Sequence, residues 1–315
     1  MKKVCFICPY FGRFPNYFQL YLNSCKYNPD FNWLIITDDC TRYEYPDNVK
    51  VLYWSFEKMQ NFIRNKFDFP VYIGKPYKLC DFKPTYGWVF REYLSEYEYW
   101  GHCDIDCIYG DLKKFLWDKL NGNYDKVLSL GHMEIYKNEI SVAKRYELFV
   151  EENYDYKKIL ASEFSYAFDE NFKYGMNAIY GKYGFSHYID RYDEIVADIY
   201  PYRYSFSLAK HIYSESFVNR KGFHAKWSKG KLYIVWNGEE KEAAYIHLQK
   251  RKMEAQINNL ETFMILNNFF SDKEKHNQNR IEKWKYILEC KMKYIKDMMP
   301  ILKRKVKERI RKEKW

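Results

Sequence analysis

The chain has 315 residues, 47% of them apolar and 21% aromatic, which excludes a largely disordered protein and suffices for one large α/β domain with an appendage. The formal net charge is +10, but residues 271–315 carry 16 Lys and Arg against 7 Asp and Glu, so the body is nearly neutral and no nucleic-acid partner is expected. No run of about 18 apolar residues occurs, and the short apolar stretch at the N-terminus soon meets polar residues, so neither a membrane span nor a signal peptide is expected and the protein reads as cytoplasmic.

Residues 2–10, KKVCFICPY, predict a first strand, whose alternation sends Cys5 and Cys8 to different environments. With no second CxxC, a zinc site is not expected, and the eight scattered cysteines read as free thiols. FGRFPNYF is a loop into a helix over 17–28, with Phe18, Tyr21, Leu22 and Cys25 on one face. FNWLIITDD (31–39) is a second strand ending in Asp38 and Asp39, and VKVLYWS (49–55) a third. This order suits an open α/β sheet of nucleotide-binding type, although neither GxGxxG nor GxxxxGK[ST] occurs.

Residues 77–95 predict a helix, bent near Pro84 and Gly87. YEYWGHCDID (97–106) predicts a strand, in which Asp104 and Asp106 project to one side, roughly 7 Å apart. The carboxyl end of a strand borders the ligand crevice in open α/β sheets. Two neighbouring carboxylates repel unless a cation sits between them. A hard divalent ion such as Mg²⁺ or Mn²⁺ accepts carboxylate oxygens and shares its shell with phosphate. Asp111 is expected to cap the helix DLKKFLWDKL. KVLSLGHMEIYKN (126–138) reads as a strand interrupted at Gly131-His132.

The tail over 279–315 places Ile281, Trp284, Leu288, Met292, Ile295, Met299, Leu302, Val306 and Ile310 at steps of three or four, an apolar stripe on a helix that Pro300 should kink or split. Lys and Arg fill the other face, so this basic amphipathic helical tail suits an anionic membrane surface through 281–315. The competing reading docks the stripe on the main domain or on a second subunit.

Residues 77–115 resemble the GT-A glycosyltransferases that use nucleotide sugars, and more narrowly the galactosyl- and glucosyl-transferring and capsule-synthesis branches. The residues that carry the likeness are Lys78, "CDFKPTYG" with Asp81, "WGHCDID" and "YGDL". The resemblance implies a GT-A-like open mixed sheet flanked by helices over 1–270, with a donor half to about residue 112 and an acceptor half beyond it. It implies that Asp104 and Asp106 hold Mn²⁺ or Mg²⁺ against the diphosphate of a nucleotide-sugar, most simply a UDP-sugar. His247, in "EAAYIHLQKRKM", is the expected third ligand, with Lys250 and its basic neighbours near phosphate. Lys78 and Asp81 belong to the same donor site, with Lys83 a second source of charge for the diphosphate. Tyr10, Phe11 and Arg13 should cradle the base, and Asp38 or Asp39 the uracil or ribose. Asp169 or Glu170 could take a proton from the acceptor hydroxyl.

The expectation is therefore a peripheral enzyme of the inner membrane face that transfers sugar to a lipid-linked (polyprenyl) or cell-surface glycan. Two rivals remain: a nucleotidyltransferase with a two-Asp metal site, and a non-catalytic basic, aromatic glycan-binding protein.

Overall fold

β-Branched and aromatic residues make the first segment a strand, β1 (Lys2–Tyr10), and the segments after it repeat that pattern. The computed structural model describes residues 2–189, 196–198, 207–208, 224–236, 239–249, 251–255, 257–272 and 280–312. The fold is mixed α/β. A seven-stranded sheet has the order β3 (Val49–Tyr53), β2 (Phe31–Thr37), β1, β4 (Tyr97–Cys103), β7 (Met133–Lys137), β6 (Lys126–Leu130) and β8 (His187–Tyr188). β3, β2, β1 and β4 run parallel, and β7 lies antiparallel to β4. The chain moves outward from β1 through β2 to β3, then returns to the other side of β1 as β4. Such a reversal leaves a crevice beyond the carboxyl ends of the two strands that flank it.

Both faces of this sheet are covered, so its strands are apolar at nearly every position. Val4, Phe6, Cys8, Trp33 and Ile35 face one core, with helix α1 (Phe18–Lys26). Cys5, Ile7, Leu34, Ile36 and Trp100 face the other, with helix α2 (Phe56–Arg64). Cys5 and Cys8 thus lie in opposite cores, and none of the eight cysteines is in a disulfide.

A second sheet has the order β10 (Ser207–Leu208), β9 (Val196–Asp198), β14 (Tyr245–His247) and β5 (Cys107–Tyr109). A third has the order β13 (Glu239–Ala243), β12 (Lys231–Trp236), β11 (His224–Ser228), β16 (Thr262–Ile265), β17 (Phe269–Ser271) and β15 (Glu254–Ala255).

Four local expectations change. Residues 77–95 form a tight 3₁₀ run, Pro76–Thr85, then one α-turn (Tyr86–Val89) and a second 3₁₀ turn, Arg91–Tyr93. Pro84 removes a backbone donor, and Lys78 and Asp81 turn inward to bind elsewhere, so a regular helix does not form. The predicted strand 97–106 stops at Cys103, and Asp104 to Asp106 form a turn. Residues 126–138 split into β6 and β7, a hairpin turning at Gly131-His132. The C-terminal helix, Arg280–Lys312, is a single element that contains Pro300. Asp111 caps its helix, Leu112–Asn121, by accepting from the Lys114 N–H at 3.0 Å.

Along the C-terminal helix Trp284, Leu288, Met292, Ile295, Met299 and Leu302 are all more than half exposed. Tyr286 and Cys290, about 180° away around the helix, are its covered side: Cys290 is buried, and the Tyr286 ring lies under Arg251 at 5.5 Å. Among the described residues, the apolar stripe over Trp284–Leu302 therefore does not dock on the main body.

Candidate metal and active site

The crevice beyond β1 and β4 is a cavity of about 420 Å³. Tyr10 and Phe11 from the end of β1 line one wall, and Cys103, Asp104 and Asp106 from the end of β4 another. Tyr17, Tyr77, Lys83 and Arg251 close the remainder.

Ile105, between the two aspartates, is buried in the core, and this anchors the turn with Asp104 and Asp106 at the cavity. The Asp104 N–H donates to the His132 carbonyl at 2.9 Å, and the Leu248 N–H to the Asp106 carbonyl at 2.8 Å. Strand β14 pairs with both β5 and β9, so His247 lies opposite Cys107 on one side and Asp198 on the other. His247 Nε2 comes within 3.4 Å of Asp106 Oδ1 and 3.9 Å of Asp104 Oδ2. One ligand atom from each of the three residues lies within 4.8 Å of the others. Two carboxylate oxygens and an imidazole nitrogen, partly open to a cavity, form a donor set that fits Mn²⁺ or Mg²⁺ with positions left for a ligand. Burial lowers the His247 pKa, but Asp106 and Asp198 outweigh it and push the imidazole up to about 10. A divalent ion held between the carboxylates would take the place of the Nε2 proton and free that nitrogen to ligate it.

Lys83 is the second cation here. Its Nζ lies 2.7 Å from Asp104 Oδ1, 2.7 Å from the Gly131 carbonyl and 3.5 Å from Asp169 Oδ2. Burial alone would lower its pKa, yet Asp104 and Asp169 raise it well above the ordinary lysine value. Burial pushes the Asp169 carboxyl well above the ordinary range, against the pull of Lys83. Glu170 is exposed, and its Oε2 accepts from the Gly131 N–H at 3.0 Å. A Cβ at Gly131 would come 2.6 Å from Asp169 Oδ2 and 3.0 Å from Glu170 Oε2, so only glycine lets these acids close on the hairpin.

No curated protein matches the sequence. A family model described as "Family of unknown function (DUF6625)" matches residues 6–274. The chain belongs to that family. The matched span takes in the second half of β1, the two aspartates, Lys83 and His247, and leaves the C-terminal helix outside it.

Several residues singled out from sequence meet at this cavity and others do not. Tyr10, Phe11, Asp104 and Asp106 line it, and His247 touches both aspartates. Asp169 and Glu170 stand beside it through Lys83 and Gly131. Lys78 and Asp81 lie elsewhere: their 2.8 Å ion pair is wholly buried. The Lys78 ammonium also donates to the Ile159 and Phe164 carbonyls, and Asp81 accepts from the Tyr166 and Phe168 N–H groups. Asp38 and Asp39 shape the loop after β1, accepting from the Gly12 N–H at 2.7 Å and the Phe14 N–H at 2.8 Å. Burial works against the Asp39 carboxylate, but the Thr41 hydroxyl and the N–H groups of Phe14 and Thr41 bring its pKa below the usual value. Arg13 is exposed; its backbone carbonyl accepts from the Tyr10 hydroxyl, and its charge helps lower the Asp39 pKa. Lys250 lies outside the described residues, and its neighbour Arg251 lines the cavity instead.

Sequence reasoning missed Asp198 altogether. Its one local signal is a carboxylate closing the short apolar run "IVAD".

Proposed function

We propose that the protein is a metal-dependent glycosyltransferase of GT-A type, moving sugar from a nucleotide-sugar, preferably a UDP-sugar, to a lipid-linked or cell-surface glycan. The observation that carries this reading is the convergence of Asp104, Asp106 and His247, with the two aspartates lining a cavity at the switch point between the parallel strands β1 and β4. Aromatic side chains at the end of β1, Tyr10 and Phe11, give that cavity a flat apolar wall for a base.

Asp104, Asp106 and His247 would hold Mn²⁺ or Mg²⁺, which offsets the charge that builds on a departing diphosphate. Lys83, fixed against Asp104 and the Gly131 carbonyl, brings an ammonium to the same edge, and Arg251 a guanidinium to the cavity wall. Fixed cations at a water-poor site stabilise developing negative charge more than mobile ones do. Glu170 is the acid at the surface and the better placed of the two to accept a proton from an acceptor hydroxyl; buried Asp169 holds Lys83 in position.

The C-terminal helix belongs to the same reading. Among the described residues no helix is long and apolar enough to cross a membrane. An exposed stripe of Trp284, Leu288, Met292 and Ile295, flanked by lysines, suits the interface of an anionic bilayer, where a polyprenyl-linked acceptor resides. On this reading the enzyme would work at the cytoplasmic face of the membrane.

The test is release of nucleoside diphosphate from a panel of nucleotide-sugars, with and without Mn²⁺. Metal-dependent release lost in Asp106→Asn is the expected result. Absence of metal-dependent binding or release across the panel would overturn the proposal.

A further inference from the structure

His247 stands between two sets of carboxylates, and strand register puts it there. Its Nε2 faces Asp106 and Asp104, while its Nδ1 lies 3.3 Å from Asp198 Oδ1 on the neighbouring strand. We propose that Asp198 is a positioning residue: it accepts Nδ1–H of His247 and so turns the Nε2 lone pair toward the ion site between Asp104 and Asp106. This rests on the metal reading above.

Several features support the assignment. Asp198 is 6% exposed and, among the described residues, stands behind His247 without lining the cavity. Among the described residues Asp198 Oδ1 and His247 Nδ1 are both buried without a hydrogen-bond partner, and they face each other at 3.3 Å, so a slight turn of the ring pairs them. A buried carboxylate facing a single ring nitrogen requires a proton on that nitrogen. An imidazole that donates from one nitrogen can ligate through the other, and a carboxylate behind the ring fixes both tautomer and orientation. The ring plane is held as well. His132 stacks on His247 with centroids 4.2 Å apart and planes 27° apart.

The same atoms pose a competing geometry. His132, Asp198 and His247 also offer ligand atoms within 4.8 Å of one another, so a second ion on the Nδ1 side is the alternative to a hydrogen bond. Stoichiometry separates the two, since a proton on Nδ1 excludes an ion there.

The experiment titrates Mn²⁺ into the full chain, counting free ion by its electron paramagnetic resonance signal and bound nitrogen by spin-echo modulation. Wild type should bind one Mn²⁺ per chain with one histidine nitrogen coupled to it. Asp198→Ala should weaken binding about 10- to 100-fold, with the metal-free melting temperature little changed. Asp198→Asn, whose amide oxygen still accepts Nδ1–H, should retain the nitrogen coupling and lose less affinity, about threefold to tenfold. Should Asp198→Ala fail to fold, the isosteric Asn variant decides alone. Wild-type affinity in both folded variants would overturn the role of Asp198 while a loss in Asp106→Asn left the metal reading standing. Two ions per chain, one lost on changing Asp198, would make it a ligand and overturn the positioning role. No Mn²⁺ binding by wild type would sink both proposals.

Discussion

Lys78 and Lys83, five residues apart, each pair with an aspartate, and the two pairs have opposite fates. Lys78–Asp81 spans 2.8 Å with both side chains fully buried, while Lys83–Asp104 spans 2.7 Å with the lysine 10% and the aspartate 36% exposed. In the first pair every strong group is answered from within the fold: two carbonyls complete the ammonium and two backbone N–H groups complete the carboxylate. Its work is to tie residues 159–168 to the 3₁₀ run. In the second, a carboxylate oxygen of Asp104 remains toward His247 and a cavity, so charge is left for something from outside. A buried ion pair by itself is poor support for function; an ion pair with unused capacity at a crevice is better support.

The sharpest way to break this contrast is at the open side. Asp106→Asn should lower turnover by on the order of 10³-fold and abolish Mn²⁺ binding, with a modest fall in the melting temperature of the metal-free protein as His247 loses its nearest carboxylate. Lys83→Met should cost on the order of 10²-fold in kcat and far less in stability. Lys78→Met should do the reverse: urea unfolding should show a loss of about 3–5 kcal/mol, because Asp81 is left as an unpaired buried charge, while turnover per folded molecule is retained. If Lys78→Met loses turnover and Lys83→Met does not, the two roles are exchanged. The smallest effect belongs to the helix. Trp284→Ser should weaken binding to anionic vesicles about tenfold and leave soluble donor hydrolysis unchanged; undiminished vesicle binding would remove the membrane from the account.

These pairs also show what can be read from sequence. Asp104 and Asp106 stood out because they follow an apolar strand, although the turn around buried Ile105, rather than strand alternation, presents them together. Lys78 and Lys83 look alike in one dimension; only the fold decides which one is sealed. The long periodic tail was legible because helix periodicity is local, yet which face is covered, Tyr286 with Cys290, depends on Arg251 far away in the chain. Asp198 was illegible for the same reason: its meaning comes from register across β9, β14 and β5.

The most direct test of the central claim is calorimetric titration of UDP and other nucleoside diphosphates into the full chain, with Mn²⁺ present and absent. The account predicts binding that requires the ion and vanishes in Asp106→Asn. Equal affinity without Mn²⁺, or in that variant, would contradict it.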